Sequence, residues 1–197
     1  MKIPQFMPMV GAEEYEAIRD CFVDNWITEG PKALEFKNKL LDLMGADYGE
    51  FAPNGTLAIY LALKAAGVKP GDEVLVPNFT FIASANAVIM LGAVPVFVDV
   101  DCNLQIDVTR CKQKLTDKTT AIMAAHMYGT CGNMASISRF AKANNLLLIE
   151  DAAQALGVHW EGKHAGTFGD VGTFSFFADK TITCGEGGFM VTNNPDI

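Results

Sequence analysis

A chain of 197 residues, half of them hydrophobic, is long enough for one domain with a substantial core and too apolar to be a disordered segment. Its net charge of −8 comes from 23 acidic and 15 basic residues with no Lys/Arg run, which argues against a nucleic acid or an anionic membrane as partner. No stretch approaches the roughly 18 apolar residues of a transmembrane helix, and Met1-Lys2-Ile3-Pro4-Gln5-Phe6 lacks the apolar core of a secretory signal.

In chain order, the amphipathic stretch 12–24 predicts a helix, ended by Asn25-Trp26-Ile27-Thr28-Glu29-Gly30-Pro31. A second helix is predicted over 32–44, with Gly45 as its stop. A regular alternation then begins. Strands are predicted at 48–53, 73–76, 94–100, 121–126 and 146–150. Helices separate them at 56–66, 80–91, near 108–115 and at 134–144, the first two closed by Gly67 and Gly92. Two more strands, 171–177 and 188–192, have no long helix between them, so they can turn directly and leave one strand antiparallel. The near-continuous apolar character of the first five strands indicates an α/β fold: a seven-stranded, mostly parallel sheet with helices on both faces. The five cysteines (Cys21, Cys102, Cys111, Cys131, Cys184) are odd in number and irregularly spaced, and form no Cys-x-x-Cys pair. With three scattered histidines they predict free thiols in a reducing cytoplasm, with no disulfide or metal framework.

Ligands of an open α/β sheet bind beyond the carboxyl ends of its strands. After the first strand, Asn54-Gly55-Thr56 opens a helix and suits either a phosphate or a plain N-cap. After the second, Pro77-Asn78-Phe79-Thr80-Phe81 offers an aromatic that could stack on a flat ring or pack in the core. His126, after the fourth, could touch a ligand or cap a turn. After the fifth comes Glu150-Asp151-Ala152-Ala153-Gln154-Ala155, where a strand-end carboxylate is costly unless something positive faces it. Asp151 suits a protonated pyridine nitrogen or a helix N-cap. After the sixth, an apolar strand runs through Ser175 into Lys180 and then Gly185-Glu186-Gly187-Gly188. Lys180 is either a solvated loop lysine or a partly desolvated amine of the kind that forms Schiff bases. Phosphate donors, a stacking ring, a carboxylate and an amine along one sheet edge are the needs of pyridoxal 5'-phosphate.

These segments resemble the sugar-nucleotide aminotransferases of the DegT/DnrJ/EryC1/StrS family, which have the aspartate-aminotransferase-like (fold type I) large domain. The resemblance lies in Trp26 through Pro31, Asn54-Gly55-Thr56, Pro70-Gly71-Asp72-Glu73-Val74, Gly92 through Asp99, His126-Met127-Tyr128-Gly129, Glu150 through Ala155, Gly169-Asp170 and Phe174 through Gly188, nearly the whole chain. Within the family, Ser175-Phe176-Phe177, Lys180-Thr181-Ile182-Thr183 and Gly185 through Gly188 look most like the perosamine synthases. Those aminate the 4-keto carbon of a GDP-linked 6-deoxy sugar, such as GDP-4-keto-6-deoxymannose, with glutamate as amino donor, in polysaccharide (O-antigen) biosynthesis.

The resemblance implies that Lys180 forms the Schiff base and then moves the proton between substrate and cofactor. Asp151 keeps the pyridine nitrogen protonated. Phe81 stacks on the ring, and Gly55, Thr56 and Ser175 hold the phosphate. Gln154 lies near the ring edge, and Thr28 near the sugar or in a loop anchored by Trp26. Some relatives carry histidine at the lysine position and act as dehydratases, so Lys180 favours amino transfer. A cytoplasmic homodimer or larger homo-oligomer is implied, with nucleotide-sugar and glutamate substrates.

Residues 1–31 are expected to form an N-terminal helix and substrate-side loop, and 32–197 the pyridoxal-phosphate-binding large domain. Family members continue well past the position of Ile197, so the C-terminal small domain and much of the sugar-nucleotide pocket are expected to be missing, and turnover by this chain alone to be poor. The alternative is a truncated, catalytically incomplete chain that binds cofactor or a partner. A third reading, a cysteine desulfurase or amino-acid aminotransferase of the same fold type, is opposed by the Trp26-to-Pro31 and Phe174-to-Gly188 segments.

Overall fold

The computed structural model describes residues 3, 4 and 6–197. Met1, Lys2 and Gln5, part of the stretch read as lacking a signal core, lie outside the described residues. Two helices lead in, α1 (Ala12–Val23) and α2 (Pro31–Met44). Pro31 opens α2 at a position whose N–H would be unpaired in any case. Gly45 closes it in the left-handed conformation (φ 65°) with its amide on the Leu41 carbonyl. No residue of α1 is buried, whereas α2 buries Leu40 and Met44.

Strands and helices then alternate: β1 (Tyr48–Ala52), α3 (Gly55–Ala65), β2 (Glu73–Pro77), α4 (Ile82–Met90), β3 (Val94–Val98), α5 (Val108–Cys111), β4 (Thr119–Ala125), α6 (Met134–Ala143) and β5 (Leu147–Asp151). A small hairpin, β6 (His159–Trp160) and β7 (Lys163–His164), precedes β8 (Val171–Ser175) and β9 (Gly188–Thr192). The main sheet has seven strands in the order β1-β9-β8-β5-β4-β2-β3. Strand β9 runs antiparallel to both neighbours and every other pair is parallel. The seven strands and the antiparallel turn at the end are those expected from the sequence.

Alternate residues of the central strands feed opposite cores, as the pleat requires. Val74, Val76, Met123 and Ile149 point to the face covered by α3 and α4, with Ile59, Leu63 and Val88. Leu75, Ile122, Ala124 and Leu148 point to the other, with Met134, Ile137 and Phe140 of α6. A third cluster joins Leu40 and Met44 of α2 to Phe174, Phe176 and Phe189. Fully burying side chains of this size is worth about 1.5–3 kcal/mol each.

Three details differ from the sequence expectation. The helix placed near 108–115 is a single turn, Val108–Cys111, capped at its start by Asp107 and followed by turns. The strand placed at 171–177 ends at Ser175, where the ladder with β9 stops at Gly188. The β6–β7 hairpin was not foreseen. Its turn residues, Glu161 (φ 49°) and Gly162 (φ 80°), are both left-handed, the conformation usually signalled by Asn-Gly or Asp-Gly.

Candidate active site

A cavity of about 410 Å³ opens at the carboxyl ends of β5 and β8, against the N-termini of α3 and α4. The alternation of strand and helix brings it about: each parallel strand ends on this edge, and each following helix begins there. Gly55, Thr56, Phe81, Asp151, Gln154, Ser175 and Lys180 all line it. Thr28 does not. It is exposed in the bend between α1 and α2, where the Trp26 indole N–H donates to the Glu29 carbonyl at 2.9 Å. Trp26 also fills the space beside Gly30, where a Cβ would lie 2.5 Å from the indole nitrogen. The loop is therefore anchored on Trp26.

One corner is built for an anion. The Asn54 side chain accepts from the Leu57 amide at 3.0 Å and its carbonyl accepts from the Ala58 amide. The Gly55 and Thr56 amides, in the first turn of α3, have no intrahelical partner. The Ser175 hydroxyl lies beside them: a Cβ on Gly55 would sit 2.9 Å from the Ser175 Cβ and 3.2 Å from its Oγ. Free amides, two hydroxyls and the positive end of the helix dipole converge there. The N-cap reading of Asn54-Gly55-Thr56 does not compete with the phosphate reading, since Asn54 is the cap and the next two amides are left free.

The two strand-end carboxylates are treated differently. Glu150 is fully buried and saturated: His126 Nε2 lies at 2.8 Å, and the Gly166 and Gly169 amides donate at 2.8 and 2.6 Å. His126 is only 1% exposed, yet it borders the cavity and stands at the head of the Met127–Gly129 turn, where its side chain makes no cap bond. Burial by itself disfavours its charged ring, but the Cys131 side chain and the Glu150 carboxylate outweigh burial and raise its pKa to about 9. The strand pleat turns Asp151 the other way, into the cavity, where it is 7% exposed. It accepts from the Ser84 hydroxyl at 2.6 Å and from the Ala153 amide at 3.2 Å, and has no ion pair among the described residues. A carboxylate this buried, held only by neutral donors, has acceptor capacity left for a cation from outside the chain.

Lys180 follows β8 in a turn stitched to Phe176, whose carbonyl accepts from the Cys184 amide and the Thr183 hydroxyl. Its side chain is 16% exposed and its Nζ lies 2.9 Å from Asp179 Oδ1. The amine is thus half-way between the two sequence readings: mostly buried, yet ion-paired to its own neighbour. A second cavity, of about 470 Å³, lies on the other side of this turn beneath residues 6–10, and Lys180 and Asp179 border both. Gln154 Oε1 accepts from the Tyr128 amide at 2.6 Å and so holds the turn Met127–Gly129, in which Tyr128 takes φ 55°. Phe81, the N-cap residue of α4, is 65% exposed with its ring bordering the cavity.

Sequence reasoning missed three participants. Ser84 and Thr80 are spaced i, i+4, which would have placed both hydroxyls on one side of the start of α4. Asp179, next to the lysine, was a plain sequence neighbour. The Glu150–His126 pair was not legible, because nothing in either segment says which strand lies beside which. Among the described residues no group of His, Cys, Asp and Glu could hold a metal ion, and all five cysteines are free.

The residues present fit pyridoxal phosphate: an anion corner, an uncompensated carboxylate, an aromatic and an amine in one cavity. Fold and site together define the large domain of an aspartate-aminotransferase-like, pyridoxal-phosphate-dependent protein. The chain belongs to the DegT/DnrJ/EryC1/StrS aminotransferase family, whose model matches residues 8–197. It is 46% identical to a GDP-perosamine synthase from Escherichia coli O157:H7 over 98% of its own length and 53% of that protein's. An aminotransferase from Psychrobacter cryohalolentis superposes with a TM-score of 0.93 at 36% identity, covering 97% of this chain and 50% of that one. A GDP-4-keto-6-deoxymannose-3-dehydratase solved with GDP-perosamine bound superposes with a TM-score of 0.91 at 28% identity, covering 98% and 52%. The chain spans about half the length of the curated relatives it matches. No helix among the described residues is long and apolar enough to cross a membrane.

Proposed function

We propose that the protein transfers an amino group to a keto carbon of a nucleotide-linked deoxy sugar, with pyridoxal phosphate held in the 410 Å³ cavity. One observation carries this reading: Asp151, buried and with no ion pair among the described residues, shares a cavity with the Lys180 amine and the free amides of α3. When bound, pyridoxal phosphate supplies an aldehyde that takes up amines and a ring that accepts electrons from the adjoining carbon. Gly55, Thr56 and Ser175 would bind the phosphate. Asp151 would accept from a protonated ring nitrogen. Phe81 would pack on the ring, and Gln154 would keep the Met127–Gly129 turn in place beside it. Lys180 would hold the cofactor through Nζ, and the same amine would carry a proton to and from the substrate carbon. Asp179 keeps Nζ directed into the turn between the two cavities.

The finer assignment follows the relatives' names. GDP-perosamine synthase similarity and a dehydratase neighbour with bound GDP-perosamine support a GDP-linked 4-keto-6-deoxy sugar as acceptor, aminated at C4. Glutamate is the proposed donor, and a cytoplasmic homodimer or larger homo-oligomer the proposed assembly. Residues 1–31, with their unburied helix α1, are assigned to the substrate side, and 32–197 to cofactor binding. The test is a spectroscopic half-reaction. Glutamate discharges the visible band of the loaded protein, and GDP-4-keto-6-deoxymannose restores it. A band that glutamate leaves intact would instead favour the reading of a cofactor-binding chain without turnover.

A further inference from the structure

We propose that Ser84, backed by Thr80, is a positioning residue that fixes the Asp151 carboxylate for a protonated ring nitrogen; the inference rests on the cofactor reading above. Ser84 is fully buried in the first turn of α4, among Ala83, Ala85, Ala87 and Val88. A hydroxyl in such a position is costly unless bonded. It spends its bonds on one target. Ser84 Oγ lies 2.6 Å from Asp151 Oδ2, and Thr80 Oγ1 lies 2.8 Å from Ser84 Oγ.

The direction of this chain is set by chemistry. An ionised carboxylate only accepts, so Ser84 donates to Asp151, and the Ser84 lone pair is left to accept the Thr80 proton. Both hydroxyl dipoles therefore point toward the carboxylate, and a chain of this kind polarises along its length. The effect is to turn two donor dipoles toward the carboxylate without supplying a countercharge. A lysine or arginine in place of Ser84 would compete with the cofactor; a hydroxyl cannot.

Geometry adds to electrostatics. A carboxylate has about four acceptor positions. Ser84 and the Ala153 amide take one on each oxygen and clamp the group from α4 and from the segment after β5. The remaining capacity is left to the cavity, which Asp151 lines and Ser84 does not. Ser84 thus acts through Asp151. It also ties the helix that begins at Phe81 to the strand end that carries the carboxylate, so the ring-covering and ring-binding residues keep one spacing.

The test uses S84A and T80V, each loaded with pyridoxal phosphate labelled at the ring nitrogen. The dissociation constant is read by titrating the visible band, and ring protonation by the nitrogen chemical shift. Losing a hydrogen bond to a charged group predicts about tenfold weaker binding for S84A, with the nitrogen signal moved toward the unprotonated position at neutral pH. For T80V, which loses only the polarising bond, about twofold to threefold is expected, with a smaller move in the same direction. If S84A does not fold, T80V gives the same reading. A variant that is less stable to heat but keeps the wild-type dissociation constant and nitrogen shift overturns the proposal, since its hydroxyl is then merely structural. Failure of the cofactor reading looks different: the wild-type protein itself gives no band, and both inferences fall together.

Discussion

Raising the pH from about 6.5 to 9 should weaken the fold through one buried pair. His126 has its pKa raised from the ordinary 6.5 to about 9 in the folded protein, against burial, by Cys131 and the Glu150 carboxylate. The folded state therefore binds that proton more tightly than the unfolded state. The stabilisation is complete below about pH 6.5 and is lost as pH rises through about 9. A rise of about 2.5 in pKa, at about 1.4 kcal/mol each, corresponds to about 3–4 kcal/mol at most. The assay is urea denaturation at intervals between pH 6 and 9, with wild type and H126Q compared at each pH so that other titrations cancel. H126Q should be less stable at pH 6 by about 3–5 kcal/mol, because Glu150 is left buried with two amides and no cation. The gap should narrow as pH rises. Above pH 9 both proteins lose stability through a second group, because burial, with the nearby Asp107 carboxylate, raises the Cys111 thiol to about 12 in the folded state, and this common loss cancels in the gap. A gap between wild type and H126Q that is constant or widens from pH 6 to 9 would refute the protonated-pair reasoning.

Three further outcomes follow from the site's geometry. G55A should loosen pyridoxal phosphate binding, measured by band titration, by roughly tenfold, since its Cβ would press within 2.9 Å of Ser175 and displace the anion corner. D151N should cut amino transfer and cofactor affinity by about a hundredfold or more, because the amide offers no charge to a protonated ring nitrogen; wild-type affinity in D151N would remove that residue from the site. N54A should lower thermal stability by about 1 kcal/mol through loss of the α3 cap, read as a fall in Tm.

The fold was legible because its parallel strands are buried on both faces and so read as apolar runs between glycine-closed helices. The antiparallel β9 was legible from the missing helix between 177 and 188. Most of the site was legible too, since strand-end residues of a parallel sheet share one edge whatever their separation in the chain. What escaped depends on lateral neighbours. Glu150 and His126 meet only because β4 lies beside β5, and Ser84 reaches Asp151 only because α4 starts over the end of β5. Strand order is not written in local pattern. Thr28 lies outside the cavity, in the bend where Trp26 bonds the Glu29 carbonyl, and a place near the sugar belongs to the proposal for residues 1–31.

The central claim is that Lys180 anchors pyridoxal phosphate in this cavity. Borohydride reduction of the loaded protein, followed by peptide mass mapping, tests it most directly. The account predicts a stable pyridoxyl adduct on the peptide carrying Lys180, with neither adduct nor visible band in K180A. An adduct confined to another lysine, or an undiminished band in K180A, would contradict it.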